Sequence, residues 1–389
     1  MTDAKPDTAP VATPDAAPSA LRRLLRSLDA GAGASPLSGR TAFVGFDAFL
    51  DHIARPMRTG AGQGLRRPFA TMLEFGGFVV SRSGRNGSVE LEERMEKLGG
   101  NAPILANALG VLGARVEVAA PLGLPAPHPC FEPLARFGTL HSIGRPGISI
   151  ALEFEDGKLM LAMNREIDRL DYRTLISFLP PDRLRSLLGA CDLLAFVNWS
   201  ELPGATDLLD GLARDVLPFL GKTVPLLVDL SDCTRRETKD LQDYLERLAS
   251  LPPTIPTILS LNRNESDCVC AALGLDDAAR DAAAPDIETG RRIREALHLD
   301  WVVFHQRDRA TLVWDDGAHT VRTRIRTAPL LQTGAGDNFN AGLCAGRLAG
   351  LPPADALVLA SAASSFYVEH ARSAAWADIR DALEPETTP

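Results

Sequence analysis

Any chemistry in this chain turns on Asp337. It sits within Thr333-Gly334-Ala335-Gly336-Asp337-Asn338-Phe339-Asn340-Ala341-Gly342, at the start of a segment with helical spacing. Phe339, Leu343, Gly346 and Leu348 mark one side of that helix, and Gly350-Leu351-Pro352-Pro353 stops it. The first N–H groups of a helix have no carbonyl partner inside it. Gly334 and Gly336 let the backbone turn sharply and approach a ligand without a Cβ in the way. Gly334, Ala335 and Gly336 thus make a pocket for an anion, reinforced by the helix dipole. A carboxylate at that mouth competes with the anion, so Asp337 needs its own explanation. One reading is a plain N-cap. The other is a base that takes a proton from a hydroxyl while the N–H groups hold charge on a transferred phosphoryl group.

Other polar residues cluster at what read as strand ends. Asn262-Arg263-Asn264-Glu265 follows the apolar run 257–261 and precedes a helix. An Asn and a Glu three apart can hold hydrated magnesium through water, although a helix cap is the default use of that spacing. Asp47 and Asp51 flank Ala48-Phe49-Leu50 just past a strand over 41–45. Ligands sit at the carboxyl ends of parallel strands, but surface turns also carry Asp there. Asn198-Trp199-Ser200-Glu201 and Asp229-Leu230-Ser231-Asp232 end two further strands, with Asp229 open between a supporting carboxylate and a cap. After Trp301-Val302-Val303-Phe304 comes His305-Gln306-Arg307-Asp308-Arg309-Ala310. His305 reads as an ordinary strand-end residue, whereas Arg307 or Arg309 offers a planar donor set for phosphate.

The elements that must position these residues alternate from Arg183 onward. Strands over 192–197, 226–229, 257–261 and 301–304 are separated by helices near 205–220 and 238–251, which means a mainly parallel sheet covered on both faces. A strand over 115–120 follows a small-residue helix that opens at Leu98-Gly99-Gly100-Asn101 and ends at Leu112-Gly113. Two β runs around Glu155-Asp156-Gly157 predict a hairpin. The Gly-, Arg- and Ser-rich stretch 55–87 has one strand-like piece, Phe75 to Val80. Residues 320–327 read as a strand, and 354–370 as a late helix.

Composition removes several classes. With 389 residues, 45% of them hydrophobic, the chain can fill a large α/β core. A net charge of −9 argues against a nucleic-acid surface. No stretch approaches the ~18 apolar residues that a membrane span needs. The six cysteines carry no CxxC pair and fit free thiols in a reducing cytoplasm. Residues 1–18 are too poor in apolar side chains to order themselves. Ser19 then starts a short helix with Leu21, Leu24, Leu25 and Leu28 on one face, expected to dock on the protein itself, and 31–36 is a linker.

Residues 333–342 resemble the second signature of the ribokinase-like (PfkB) carbohydrate kinases, and 99–113 is similar to the first. The resemblance spans roughly residues 41–375. It implies a ribokinase-like three-layer α/β sandwich over 37–384 with a small β lid from insertions at about 55–97 and 144–166. It also implies an ATP- and Mg²⁺-dependent kinase acting on a small sugar-like substrate. Asp337 would be the base and the 334–336 backbone the anion hole. Asp51, Gly99, Gly100 and Asn101 would hold substrate, with Asp47 a second candidate. Asn262 and Glu265 would support magnesium, and Thr333, Asn262, Arg307 and Ser361 the nucleotide. One departure is Ile104, where the family carries Asn; Asn101 is the amide that could replace it. Others are the missing glycine after Phe304 and Leu331-Gln332 before the signature. A homodimer through the lid is compatible with this reading. The rival is a sugar or nucleoside binding protein that keeps the fold without catalysis, against which the intact Asp337 counts. A Rossmann-like dinucleotide enzyme lacks support, because no G-x-G-x-x-G joins a first strand to a helix.

Overall fold

The computed structural model describes residues 19–29, 35–59, 66–275, 285–323, 330 and 333–383. Its strands, in chain order, are β1 (Thr41–Gly45), β2 (Phe49–Thr59), β3 (Arg66–Pro68), β4 (Glu90–Gly99), β5 (Arg115–Ala120), β6 (Gly138–Ser142), β7 (Gly147–Phe154), β8 (Gly157–Met163), β9 (Leu193–Val197), β10 (Leu226–Asp229), β11 (Thr257–Leu261), β12 (Trp301–His305), β13 (Arg309–Trp314) and β14 (Gly317–Arg322). The helices are α1 (Ser19–Asp29), α2 (Met72–Ser81), α3 (Asn101–Val111), α4 (Tyr172–Phe178), α5 (Pro181–Ala190), α6 (Ala205–Asp215), α7 (Thr238–Ala249), α8 (Arg263–Ala272), α9 (Pro285–Leu297), α10 (Ala335–Leu348), α11 (Pro353–His370) and α12 (Trp376–Leu383).

Nine strands form the central sheet in the order β14-β13-β12-β11-β10-β9-β1-β5-β6. Pairing is parallel from β6 through β12 and antiparallel only at the β12-β13-β14 edge. Side chains alternate along a strand, and here both faces are apolar. Ala42 and Val44 of β1 join one core with α3, α10 and α11, while Phe43 joins a second with α4 to α9. Trp301 and Val303 of β12 repeat that division against Val302 and Phe304. The result is the expected three-layer sandwich.

A separate five-stranded sheet runs β3-β2-β7-β8, with β4 also on β2. The 155–157 turn closes the β7-β8 hairpin as its sequence predicts. This small sheet takes in residues from Phe49 to Gly99, a wider segment than 55–97. The Phe75–Val80 run is not a strand but part of α2. Thr71 Oγ1 accepts from Glu74 N at 3.1 Å, and Glu74 Oε2 accepts from Ala70 N at 2.9 Å, so a reciprocal cap starts a helix there. The β13-β14 hairpin was not expected, although Asp315-Asp316-Gly317 between two alternating runs is a turn signal. The strand expected over 320–327 ends at Arg322; 324–329, the tail 1–18, the linker 31–34, Leu331-Gln332 and 384–389 lie outside the described residues.

Leu21 and Leu25 of α1 are buried where α1 packs on α11, and Leu21 N donates to Asp355. No disulfide joins any of the six cysteines. Among the described residues no helix is long and apolar enough to cross a membrane.

Helix α10, which carries the signature, meets α11 through small residues. A Cβ on Gly342 would lie 2.7 Å from Ala360 Cα and 2.9 Å from Leu359 O, both backbone atoms of α11. Gly342→Ala should therefore cost about 1–3 kcal/mol by overpacking. Gly76→Ala, on a helical glycine with nothing within 4 Å of its Cβ, should gain ~0.5–1 kcal/mol. Urea unfolding of the two variants checks this; equal midpoints would show that α10 and α11 separate freely.

Candidate active site

Gly334 is the N-cap of α10, in the left-handed conformation at φ 94°. A Cβ there would sit 2.7 Å from the Tyr367 hydroxyl, so glycine serves both conformation and space. The turn is pinned from α11. Tyr367 donates to Thr333 O at 3.0 Å, and Ser364 Oγ donates to Ala335 O at 3.0 Å. Asn338 adds two bonds to Gly334 O, from its N at 3.1 Å and its Nδ2 at 2.9 Å. With the turn's carbonyls thus occupied, the leading N–H groups of α10 remain for an anion.

Asp337 lies three residues past that cap. It is not an N-cap, which removes the structural explanation that the sequence left open. Its side chain is buried and its Oδ1 has no partner. Burial, then the charges of Asp229 and Asp47, push its carboxyl well above the usual range, partly offset by its own backbone N–H and the Asn101 amide. A buried polar atom without a partner is costly, and here it lies within the first turn of α10.

Asp47 and the Gly99-Gly100 pair gather at the start of α3. Asp47 is fully buried and accepts from Asn101 N at 2.8 Å, Ala102 N at 2.9 Å and Asn198 Nδ2 at 2.7 Å. Burial raises its pKa to about 6 against those bonds. Asp47 is therefore the cap of α3 supplied from β1's end. Gly100, at φ 89°, is the backbone N-cap of that helix. Its missing Cβ leaves room for the Asp47 carboxylate, and that of Gly99 leaves room for Asp51. Asp51 is half-buried on β2. Burial raises its pKa, while Lys97 and the Ser149 hydroxyl lower it. The Asn101 amide reaches across the site, donating to Ser231 Oγ at 3.0 Å. Ile104 is buried and lies 3.4 Å from where a Gly334 Cβ would be, so it packs under the anion turn as apolar support.

Asp229, left open by the sequence, stands at the centre of the polar network. It accepts from Ser231 N at 3.0 Å and from Asn340 Nδ2 at 2.7 Å, and Asn340 accepts from Ser260 Oγ at 2.6 Å. Asn262 and Glu265 form a capping box on α8: Glu265 N donates to Asn262 Oδ1 at 3.0 Å, and Asn262 N to Glu265 Oε2 at 2.8 Å. The second Glu265 oxygen accepts from Asn262 Nδ2 at 2.6 Å. The default cap is thus present. Yet Glu265 is buried, and burial followed by the charge of Asp229 raises its pKa well above normal.

The outer candidates separate. Ser361 bonds back into its own helix, donating to Leu357 O at 3.0 Å, and so does not reach the turn; Ser364, one helical step on, does. Arg309 is held by Asp286 at 2.6 Å, while Arg307 and Thr333 are exposed. His305 is more than a strand end: its ring lies 5.2 Å from that of Phe339, and its Cε1 is 3.4 Å from a Gly336 Cβ position. Tyr367 and Ser364 were missed because nothing in a helix sequence shows which hydroxyl faces a distant turn.

This geometry has relatives. The sequence profile of the prokaryotic ketohexokinase family matches residues 19–385. A ketohexokinase of Haloferax volcanii is 28% identical over 341 residues, or 85% of this chain and 87% of that protein. Among solved structures, Arabidopsis thaliana ribokinase complexed with ribose and ATP has a TM-score of 0.62 at 15% identity, covering 89% of this chain and 99% of its own. A Burkholderia thailandensis nucleoside kinase in complex with inosine gives 0.59 at 16%, over 88% and 97%. The fold is ribokinase-like. The chain belongs to the prokaryotic ketohexokinase family, and with it to the carbohydrate kinases, phosphotransferases with an alcohol group as acceptor.

Proposed function

We propose that the chain transfers the γ-phosphoryl group of ATP to a hydroxyl of a ketohexose or closely related sugar, with Asp337 as general base. The observation that carries this reading is the buried, unpartnered Asp337 Oδ1 within the first turn of α10. Asp337 takes the proton of the acceptor hydroxyl, whose oxygen bonds to the transferred phosphorus as the bond to ADP breaks. A raised pKa suits that role, because a base works best when its pKa lies near the working pH. The 334–336 backbone holds charge on the moving phosphoryl group. The ketohexose assignment follows the Haloferax volcanii relative's description.

Magnesium fits the electrostatics. Asp47, Asp229, Glu265 and Asp337 are all buried, and their hydrogen-bond partners among the described residues are amides, hydroxyls and backbone N–H groups. A divalent cation with the nucleotide supplies the offsetting charge and neutralises the phosphates. Both Glu265 oxygens are engaged by Asn262, so Asn262 and Glu265 would support the ion through water. Arg307 and Thr333, both exposed, are the side chains assigned to the nucleotide. Asp51, with Gly99, Gly100 and Asn101, is assigned to the sugar, under the small sheet as a closing lid.

Asp337→Asn should lower turnover by ~10²–10⁴-fold while nucleotide still binds. The raised pKa gives the stability a sign. An acid whose folded pKa exceeds its unfolded one destabilises the fold as pH rises from the usual carboxylate range through the folded value. Asn has no such loss, so its melting temperature should gain on the parent's with rising pH. Near-normal turnover of the variant would remove Asp337 as the base. A parent that binds sugar yet phosphorylates none would instead favour a sensor.

Asp51→Ala should lose kcat/KM for the sugar by roughly 1–3 kcal/mol, the worth of a buried polar contact, with ATP affinity unchanged. An equal loss of ATP affinity would take Asp51 out of the sugar site. Glu265→Gln should raise the magnesium concentration for half-maximal rate, and an unchanged titration would leave Glu265 a cap alone.

A further inference from the structure

The lid carries a second cluster of ligand-type side chains, apart from the phosphoryl-transfer site. His52 on β2 and Glu93 and Glu96 on β4 bring one imidazole nitrogen and two carboxylate oxygens within 4.8 Å of one another. His52 Nδ1 lies 2.6 Å from Glu93 Oε1 and 3.9 Å from Glu96 Oε2. In a regular strand, residues three apart point to opposite faces. Here the β2-β4 register shifts between Ile53 and Ala54, which pair with Met95 and Glu93, so Arg94 is the extra residue. That bulge turns Glu93 onto the face of Glu96 and His52, the re-aiming that bulges perform.

The charges around the cluster set it apart from the rest of β4. Glu90 pairs with Arg66 at 2.7 Å, and Glu92 with Arg94 at 3.1 Å. Among the described residues, the ion pairs of Glu93 and Glu96 are with imidazoles only: His52 for both, and His128 for Glu96 at 3.8 Å. His128 comes from the loop after β5, outside the lid, and its Nδ1 already accepts from Cys130 N at 3.3 Å. Two carboxylate oxygens and an imidazole nitrogen facing one another are a donor set that a cation can bridge.

We propose that His52, Glu93 and Glu96 form a binding site for a first-row divalent transition ion such as Zn²⁺, separate from the magnesium of phosphoryl transfer. Metal bonds of ~2.0–2.2 Å to nitrogen and oxygen place neighbouring donors about 3–3.6 Å apart, between the two separations found here. The exposure of Glu93 leaves an open position for water. Imidazole selects such ions over Mg²⁺, which prefers oxygen ligands. All three ligands come from β2 and β4, so an ion there joins two strands of the lid. The proposal does not rest on the kinase reading.

The test is Co²⁺ titration of the full-length, chelator-treated chain, followed by visible absorption and by displacement with Zn²⁺. One Co²⁺ per chain should bind, without thiolate charge-transfer bands, and should yield to Zn²⁺ but not to millimolar Mg²⁺. Glu93→Gln with Glu96→Gln should weaken binding by at least ~10-fold, while Glu90→Gln with Glu92→Gln leaves it unchanged. Melting curves verify folding, and His52→Gln serves should the double variant unfold. Absence of stoichiometric binding in the parent, thiolate bands, or equal affinity in the Glu93/Glu96 variant would each overturn the site.

Discussion

Carboxylates buried beside one another are the constraint on which the rest of the molecule depends. Asp337, Asp229, Asp47 and Glu265 converge from the ends of four elements, and Asp337 and Glu265 have raised pKa values through burial and like charge. Moving an unpaired charge out of water is expensive. The fold meets that cost with fixed dipoles: the α3 backbone on Asp47, amides from Asn198, Asn262 and Asn340, and the Ser231 hydroxyl, while Ser260 holds Asn340 in turn. Asp337 Oδ1 is the atom left over. The same low dielectric that makes it costly strengthens any hydrogen bond that a bound group makes to it.

Close approach of backbones is the second constraint, and it explains the glycines better than flexibility does. Gly99 and Gly100 leave space for Asp51 and Asp47, so the pair brings two carboxylates against the start of α3. Gly334 lets the signature turn sit against Tyr367, and Gly342 and Gly346 let α10 lie on α11 near Ala360 and Ala356. The signature turn is thereby held by a packed helix pair. A site that works by positioning requires such rigidity.

The lid has a different character. Strand β8 is exposed along most of its length, with Leu159, Met160, Leu161 and Met163 open to solvent, and α2 buries no residue. Its order comes from caps, the β2 pairings and an aromatic group of Phe69, Phe75, Phe78 and Phe154. Few buried contacts mean low local stability.

The sequence by itself determined the α/β class, most strand positions, the capping pair Asn262 and Glu265, and the glycine turn at 334–336 that starts α10. Those features are local: strand periodicity, helix starts and glycine placement depend on neighbours within a few residues. Tertiary structure decided what each carboxylate does. Asp47 and Asp51 look alike in the chain, but only the fold brings α3 onto Asp47 and leaves Asp51 open on the lid. Asp337 ceased to be a cap once Gly334 was seen to occupy that position. Ser361 and Ser364 differ by less than one helical turn, and only the packing of α11 on α10 selects which hydroxyl meets the turn. Helix α2 was missed because its apolar run Phe75 to Val80 has no period that separates helix from strand, and the cap at Thr71 and Glu74 settled it. Burial, charge and contact across distant segments set these roles, and no local pattern encodes them.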